Sequence, residues 1–251
     1  MSGRELEGRV ALVTGSARNV GRAIALELAS AGARVVVNSR SSAHACAAVV
    51  QEIEALGGKA ISVIADVTNE IDVARFVKES VDAFGRLDIL VNNAAVRRES
   101  PFADLSYAEW REVMATILDA AYLCAHAALP HLLASGQGVI INMGGMSAHT
   151  GARNRAHVVA AKTGIVGLTR ALAHDLAANG VTVNCVVPGM IATTRGGSAP
   201  QNPDHHKDHA PLVGRRGRPE EVARLVRYLA GPDARYMTGQ TLHASGGVFM
   251  P

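Results

Sequence analysis

Apolar positions fall along the chain in two alternating patterns. Short runs dominated by branched aliphatic residues recur at RVALV (9–13), RVVVN (34–38), AISVI (60–64), DILVN (88–92), GVIIN (138–142) and VTVNCVV (181–187), with a weaker run at QTLHA (240–244). The stretches between them, such as GRAIALELASAG and EIDVARFVKESVDAFG, have the amphipathic pattern of helices, and several close on glycine, a common helix C-terminal residue. A strand with one wet face alternates polar with apolar residues. These runs do not, so both faces of the sheet are covered, as in a parallel sheet flanked by helices. The pattern predicts an α/β fold: a single-domain, Rossmann-like, doubly wound parallel sheet spanning 1–251, with about seven strands and helices on both faces. A Pro-, Gly- and His-rich stretch at 195–219 is expected to form a lid-like loop before the last helix.

Composition narrows the function classes. With 251 residues, 48% hydrophobic and 19% charged, the chain can bury one sizeable core. A net charge of +3, with no block of like charge, gives no basis for nucleic-acid binding. Cys46, Cys124 and Cys185 lie far apart in apolar segments, without metal-ligand or disulfide spacing, so buried thiols in a reducing compartment are expected. The opening MSGRELEGR lacks an apolar signal core, and no apolar run approaches the ~20 residues that span a bilayer. A cytoplasmic protein without a membrane partner is expected. His205, His206 and His209 lack the carboxylate pattern of a helical zinc motif, so no metal is expected.

In such a sheet, ligands settle at the carboxyl ends of strands where the winding reverses, which makes the first strand-to-helix turn informative. Here it reads TGSARNVGRA, residues 14–23. Gly15 lets the chain leave the strand sharply, and Gly21 lets the helix approach the sheet and a phosphate closely. Between them Asn19, the residue after glycine most tolerant of left-handed backbone, replaces the middle glycine of the usual three-glycine loop, and Val20 follows. An ordinary strand-to-helix turn has similar glycines; the position directly after the first strand favours dinucleotide binding.

With TG-x5-G at Thr14–Gly21, Asp66-Val67 after the third run, NNAA at 92–95, PGMIAT at 188–193 and YMTGQTLHASGG at 236–247, the chain resembles the short-chain dehydrogenase/reductase family along essentially its whole length. The resemblance implies an NAD(P)-binding Rossmann domain, a homotetramer, and hydride transfer between nicotinamide C4 and a carbonyl or alcohol carbon. It further implies cofactor contacts at Asp66 and Val67, at Asn93 and Ala94, and at Pro188, Gly189, Ile191 and Thr193. Ser39 stands where an NAD-preferring protein carries an acid, and Arg40 follows it. Together with Arg18 it could hold a 2′-phosphate, so NADP is expected in preference to NAD, although both arginines also suit a solvated surface.

The resemblance also implies a catalytic serine, a YxxxK pair and an asparagine. Aligned without gaps, these positions fall on Gly145, on Val158 with Lys162, and on Ile117, so only the lysine is present. In the family that lysine holds the nicotinamide ribose and lowers the tyrosine's pKa. Lys162 is therefore expected to keep the first task, and proton transfer is expected to be non-standard. His149, with Ser147 beside it, is the expected substitute; a loop position without chemistry fits both equally. His157 is disfavoured, because adjacent helical residues point about 100° apart. Arg97, Arg98, Arg153 and Arg155 are expected near the cleft mouth, suiting a small anionic or acyl-thioester substrate or, equally, tetramer-interface salt bridges or a solvated rim. Three readings result: an NADP-dependent oxidoreductase, a redox-neutral lyase or isomerase, and a silent nucleotide-binding subunit assembled with an intact family member.

Overall fold

The computed structural model describes residues 3–194 and 210–251. Its strands are β1 (Val10–Val13), β2 (Arg34–Ser39), β3 (Lys59–Ile64), β4 (Ile89–Asn92), β5 (Val139–Met143), β6 (Thr182–Pro188) and β7 (Thr241–Ala244). All pair in parallel, in the order β3-β2-β1-β4-β5-β6-β7. Valine and isoleucine dominate these segments because branched side chains suit a pleated surface packed from both sides. Each expected strand is present, within about a residue of the apolar run that predicts it.

The helices are α1 (Asn19–Ser30), α2 (Ala43–Ala55), α3 (Glu70–Phe84), α4 (Tyr107–Met114), α5 (Ala120–Ala134), α6 (Ser147–Thr150), α7 (Ala156–Leu176) and α8 (Pro219–Ala230). Alternate strand residues serve opposite layers: Val13, Val35 and Ile141 pack with Ile24, Leu28 and Val226 of α1 and α8. On the other face Leu12, Val36 and Ile140 pack with Phe76, Cys124 and Leu176 of α3, α5 and α7. The sequence β1–α1–β2–α2–β3 winds to one side and β4 starts the return beside β1. The carboxyl ends of β1 and β4 therefore flank the switch point, where an open cleft forms.

Two features depart from the sequence reading. A five-residue π-helical stretch, Ala115–Asp119, joins α4 to α5, giving a continuous 28-residue helix, Tyr107–Ala134, of mean hydropathy 1.4 over its most apolar window. An apolar segment of bilayer-spanning length is thus present after all; here it packs against α3, α7 and β4. In the expected lid, residues 195–209, which include the three histidines, lie outside the described residues, while 210–218 form turns and α8 already begins at Pro219.

Candidate active site and cofactor cleft

The turn after β1 is held by side chains from three strand ends. Thr14 Oγ1 accepts hydrogen bonds from the Asn93 and Ala94 backbone N–H groups, both at 2.9 Å, and Asn93 Nδ2 donates to the Thr14 and Gly15 carbonyls at 2.9 and 3.0 Å. Asn38, buried at the end of β2, accepts from Gly15 N at 3.2 Å and donates to Val63 O and Ala65 O. Asn38 and Thr14 escape the sequence reading; a strand-end asparagine in an otherwise aliphatic run is the signal that would have found the first. A Cβ on Gly21 would overlap the Gly15 carbonyl and the Asn93 amide, so only glycine fits. Asn19 occupies the left-handed region at φ 52°. Its carboxamide clasps Thr194 through three hydrogen bonds of 2.8–3.0 Å, another contact the sequence does not announce.

α1 opens on this turn without a side-chain cap, so its first N–H groups face the cleft. The cleft, ≈ 390 Å³, runs from Gly15 past Ser39 and Arg40 to Asp66 and Val67. Asp66 Oδ1 accepts from Thr68 N and Thr68 Oγ1, which fixes the loop after β3. Arg18 and Arg40 are exposed along this cleft, and among the described residues neither has an ion-pair partner. No carboxylate occupies position 39; Ser39 Oγ instead accepts from Ser41 N and Ser42 N.

Beyond Asn93 and Arg97 the cleft continues into a chamber of ≈ 150 Å³. Lys162, on the second turn of α7, is buried in its wall at 8% exposure, and Nζ donates to the Met143 carbonyl at 2.5 Å. Gly145 lies against its stem: a Cβ there would sit 3.6 Å from Lys162 Cγ. Val158, one turn earlier on the same helix, lines the chamber beside Lys162 and packs with Ile117, Ala161 and Cys185 in one apolar cluster. Ser147, buried at the start of α6, also lines the chamber, as do Pro188, Gly189 and Ile191. Thr193 stands nearby, accepting from Arg97 Nη1 at 3.3 Å. Burial, opposed by the Cys185 thiol and helped by Arg97 and Arg155, which line the same chamber, brings the Lys162 pKa down to about 8. Burial raises that thiol to about 11.

Other sequence candidates lie elsewhere. The His149 ring meets His243 edge-on at 4.5 Å and Phe249 at 5.1 Å, beside β7 and away from the chamber lining. Burial, then Arg170, lowers its pKa, and among the described residues its Nε2 has no hydrogen-bond partner. His157 is fully buried 3.4 Å from Glu109. The four arginines do not converge: Arg97 and Arg155 line the chamber, Arg98 pairs with Glu112 at 2.7 Å, and Arg153 is exposed on a turn. No tyrosine substitutes for Val158, since Tyr107, Tyr122, Tyr228 and Tyr236 are all exposed.

The family model described as enoyl-(acyl carrier protein) reductase matches residues 15–249. A 3-oxoacyl-[acyl-carrier-protein] reductase of Synechocystis sp. is 42% identical over 246 residues, covering 98% of each chain. The chain belongs to the short-chain dehydrogenase/reductase family. A subunit of (2S)-[(R)-hydroxy(phenyl)methyl]succinyl-CoA dehydrogenase from Thauera aromatica, another relative, is 38% identical over 242 residues, 96% of this chain and 97% of that one. Among solved structures, a short chain dehydrogenase of Burkholderia cenocepacia in complex with NADP superposes with a TM-score of 0.90 at 35% identity, covering 97% of this chain and 99% of that one. In this short-chain dehydrogenase/reductase, Gly145 and Val158 line the chamber beside Lys162, and Ile117 packs in the same apolar cluster as Val158.

Proposed function

We propose that this short-chain dehydrogenase/reductase is an NADP-dependent oxidoreductase in which Lys162 handles the proton. Its substrate is a small anionic or acyl-thioester molecule, reacting at a carbonyl, alcohol or enone carbon. The cleft suits NADP on several independent counts. The glycine cradle and uncapped α1 terminus offer N–H groups to a pyrophosphate, and Arg18 and Arg40 flank Ser39 where an acid would repel a 2′-phosphate. When bound, the nicotinamide supplies or accepts a hydride at C4. Asp66 and Val67 would border the adenine, and Asn93, Ala94 and Pro188 to Thr193 would line the path of the nicotinamide half.

One observation carries the reading. Of the described side chains lining the chamber, Lys162 is the one whose protonation changes near neutrality, and it sits against the two positions, Gly145 and Val158, that no longer donate. Ser147 can add a hydroxyl beside it; His149 is not retained as the donor, because its ring is committed to His243 and Phe249. Val158, packed in one apolar cluster with Ile117, makes that part of the wall apolar.

The test follows NADPH oxidation against a panel of anionic ketones and enones across pH. Turnover governed by a group titrating near pH 8, reduced by about 10²-fold or more in Lys162→Gln, supports the proposal. Turnover indifferent to Lys162 contradicts it.

A second reading, a silent subunit paired with an intact family member, is favoured by the loss of three donors together and by a relative described as a subunit. Homotetramer or mixed oligomer, assembly is supported by the apolar helix Tyr107–Ala134, of whose most apolar window 39% is buried within the chain. The buried, unpaired Cys46, Cys124 and Cys185 suit the cytoplasm.

A further inference from the structure

We propose that Lys162 is also a nucleophilic amine, condensing with the carbonyl of a short oxo acid to form an imine, an activity of this chamber that needs no nucleotide. The surroundings of the amine carry the inference. Nζ is held by a backbone carbonyl, Met143 O at 2.5 Å, an uncharged acceptor to which the neutral amine can also donate while its lone pair stays available. No aspartate or glutamate is among the described residues lining the chamber, while Arg97 and Arg155 add positive potential. Gly145 sets no side chain against the lysine stem, and Val158 presents only methyl groups. An apolar wall and neighbouring cations are what activate a lysine toward carbonyls.

The size of the effect follows from the pKa of about 8. About a quarter of the amine is neutral at about pH 7.5, against about one part in a thousand for an ordinary lysine, a gain in free base of about 200-fold. The charged and titratable groups acting on Nζ are Arg97 and Arg155, which favour proton loss, and Cys185, which opposes it.

In the step itself the Nζ lone pair adds to the carbonyl carbon and the carbonyl oxygen gains a proton, giving a carbinolamine. Loss of water leaves the imine, and readdition of water returns ketone and amine, so no oxidant or reductant is consumed. The same arginines would draw the acid's carboxylate into the chamber, and its ≈ 150 Å³ limits the ligand to a short chain.

Nucleotide-free protein incubated with pyruvate or acetoacetate and cyanoborohydride tests this, because hydride from the reagent fixes the imine as a secondary amine. The chain holds four lysines, Lys59, Lys78, Lys162 and Lys207, so peptide mapping is unambiguous. Apart from the α-amino group, which any such reagent labels, the expected result is one lysine adduct, on the Lys162 peptide, forming at least about 100-fold faster than on exposed Lys59 or Lys78 and absent from Lys162→Met. Acetone, which lacks the carboxylate, should label at least about 10-fold more slowly. No lysine adduct, or label spread over all lysines, overturns the proposal. Equal labelling by acetone overturns the oxo-acid preference. The mapping of the native protein decides even where the Lys162→Met variant does not fold, and with nucleotide absent a failure here leaves the redox reading standing.

Discussion

Lys162 holds a charge where the fold offers it little. With its pKa at about 8 against an ordinary 10.5, the ammonium is disfavoured in the folded chain. Each tenfold displacement of that equilibrium is worth about 1.4 kcal/mol, so below about pH 8 the buried charge costs about 3 kcal/mol. Between about pH 8 and 10.5 the unfolded chain keeps the proton that the folded chain has released, and stability rises with pH. Lys162→Met is therefore expected to be more stable than the native protein near pH 7, by about 1–3 kcal/mol, with the difference fading toward about pH 10.5. Denaturant midpoints measured across that range check it, and a constant or growing difference would refute it. Gly145 has room for a Cβ at ordinary contact distance, and Val158 already faces the chamber. The triple variant Gly145→Ser, Val158→Tyr, Ile117→Asn is expected to raise NADPH-dependent reduction of a 3-oxoacyl thioester by about 10²–10⁴-fold. If it binds NADPH and stays inactive, the deficit lies beyond these three positions.

At the scale of elements, the strands and the cofactor turn were legible because their signals are local: branched runs for β1 to β7, and glycines with Asn19 immediately after β1. The π-helical stretch at Ala115–Asp119 was not legible, since packing of Ile117 against α7 distinguishes it, not helix propensity. Nor was the placement of His149: α6 is one turn long, and its histidine is placed by His243 and Phe249, about a hundred residues away in sequence. The three-bond clasp from Asn19 to Thr194 is equally non-local. Because Asn19 already sits at φ 52°, Asn19→Gly keeps the backbone unstrained and removes only the clasp. Its expected effect is a change in fold stability of no more than about 1–2 kcal/mol with faster NADPH dissociation, read by stopped-flow fluorescence. An unchanged dissociation rate would show that the clasp does not bear on the nucleotide.

Across the whole molecule, the sheet order puts the glycine turn, the Arg18 and Arg40 pair and Lys162 along one continuous cleft, although they are far apart in sequence. The helix Tyr107–Ala134 leaves apolar surface uncovered within one chain, with Tyr107 and Tyr122 exposed upon it. Tyr122→Glu is expected to shift the protein to a smaller species in size-exclusion chromatography with its circular dichroism unchanged; an unaltered elution volume would place the subunit contact elsewhere. An intact NADP cleft, on which proton handling by Lys162 depends, is tested first by fluorescence titration of the purified protein with NADPH and with NADH. NADPH is expected to bind at least about 10-fold tighter than NADH, with the preference lost in the double variant Arg18→Ala, Arg40→Ala. Binding of neither nucleotide, or equal binding of both, would contradict it.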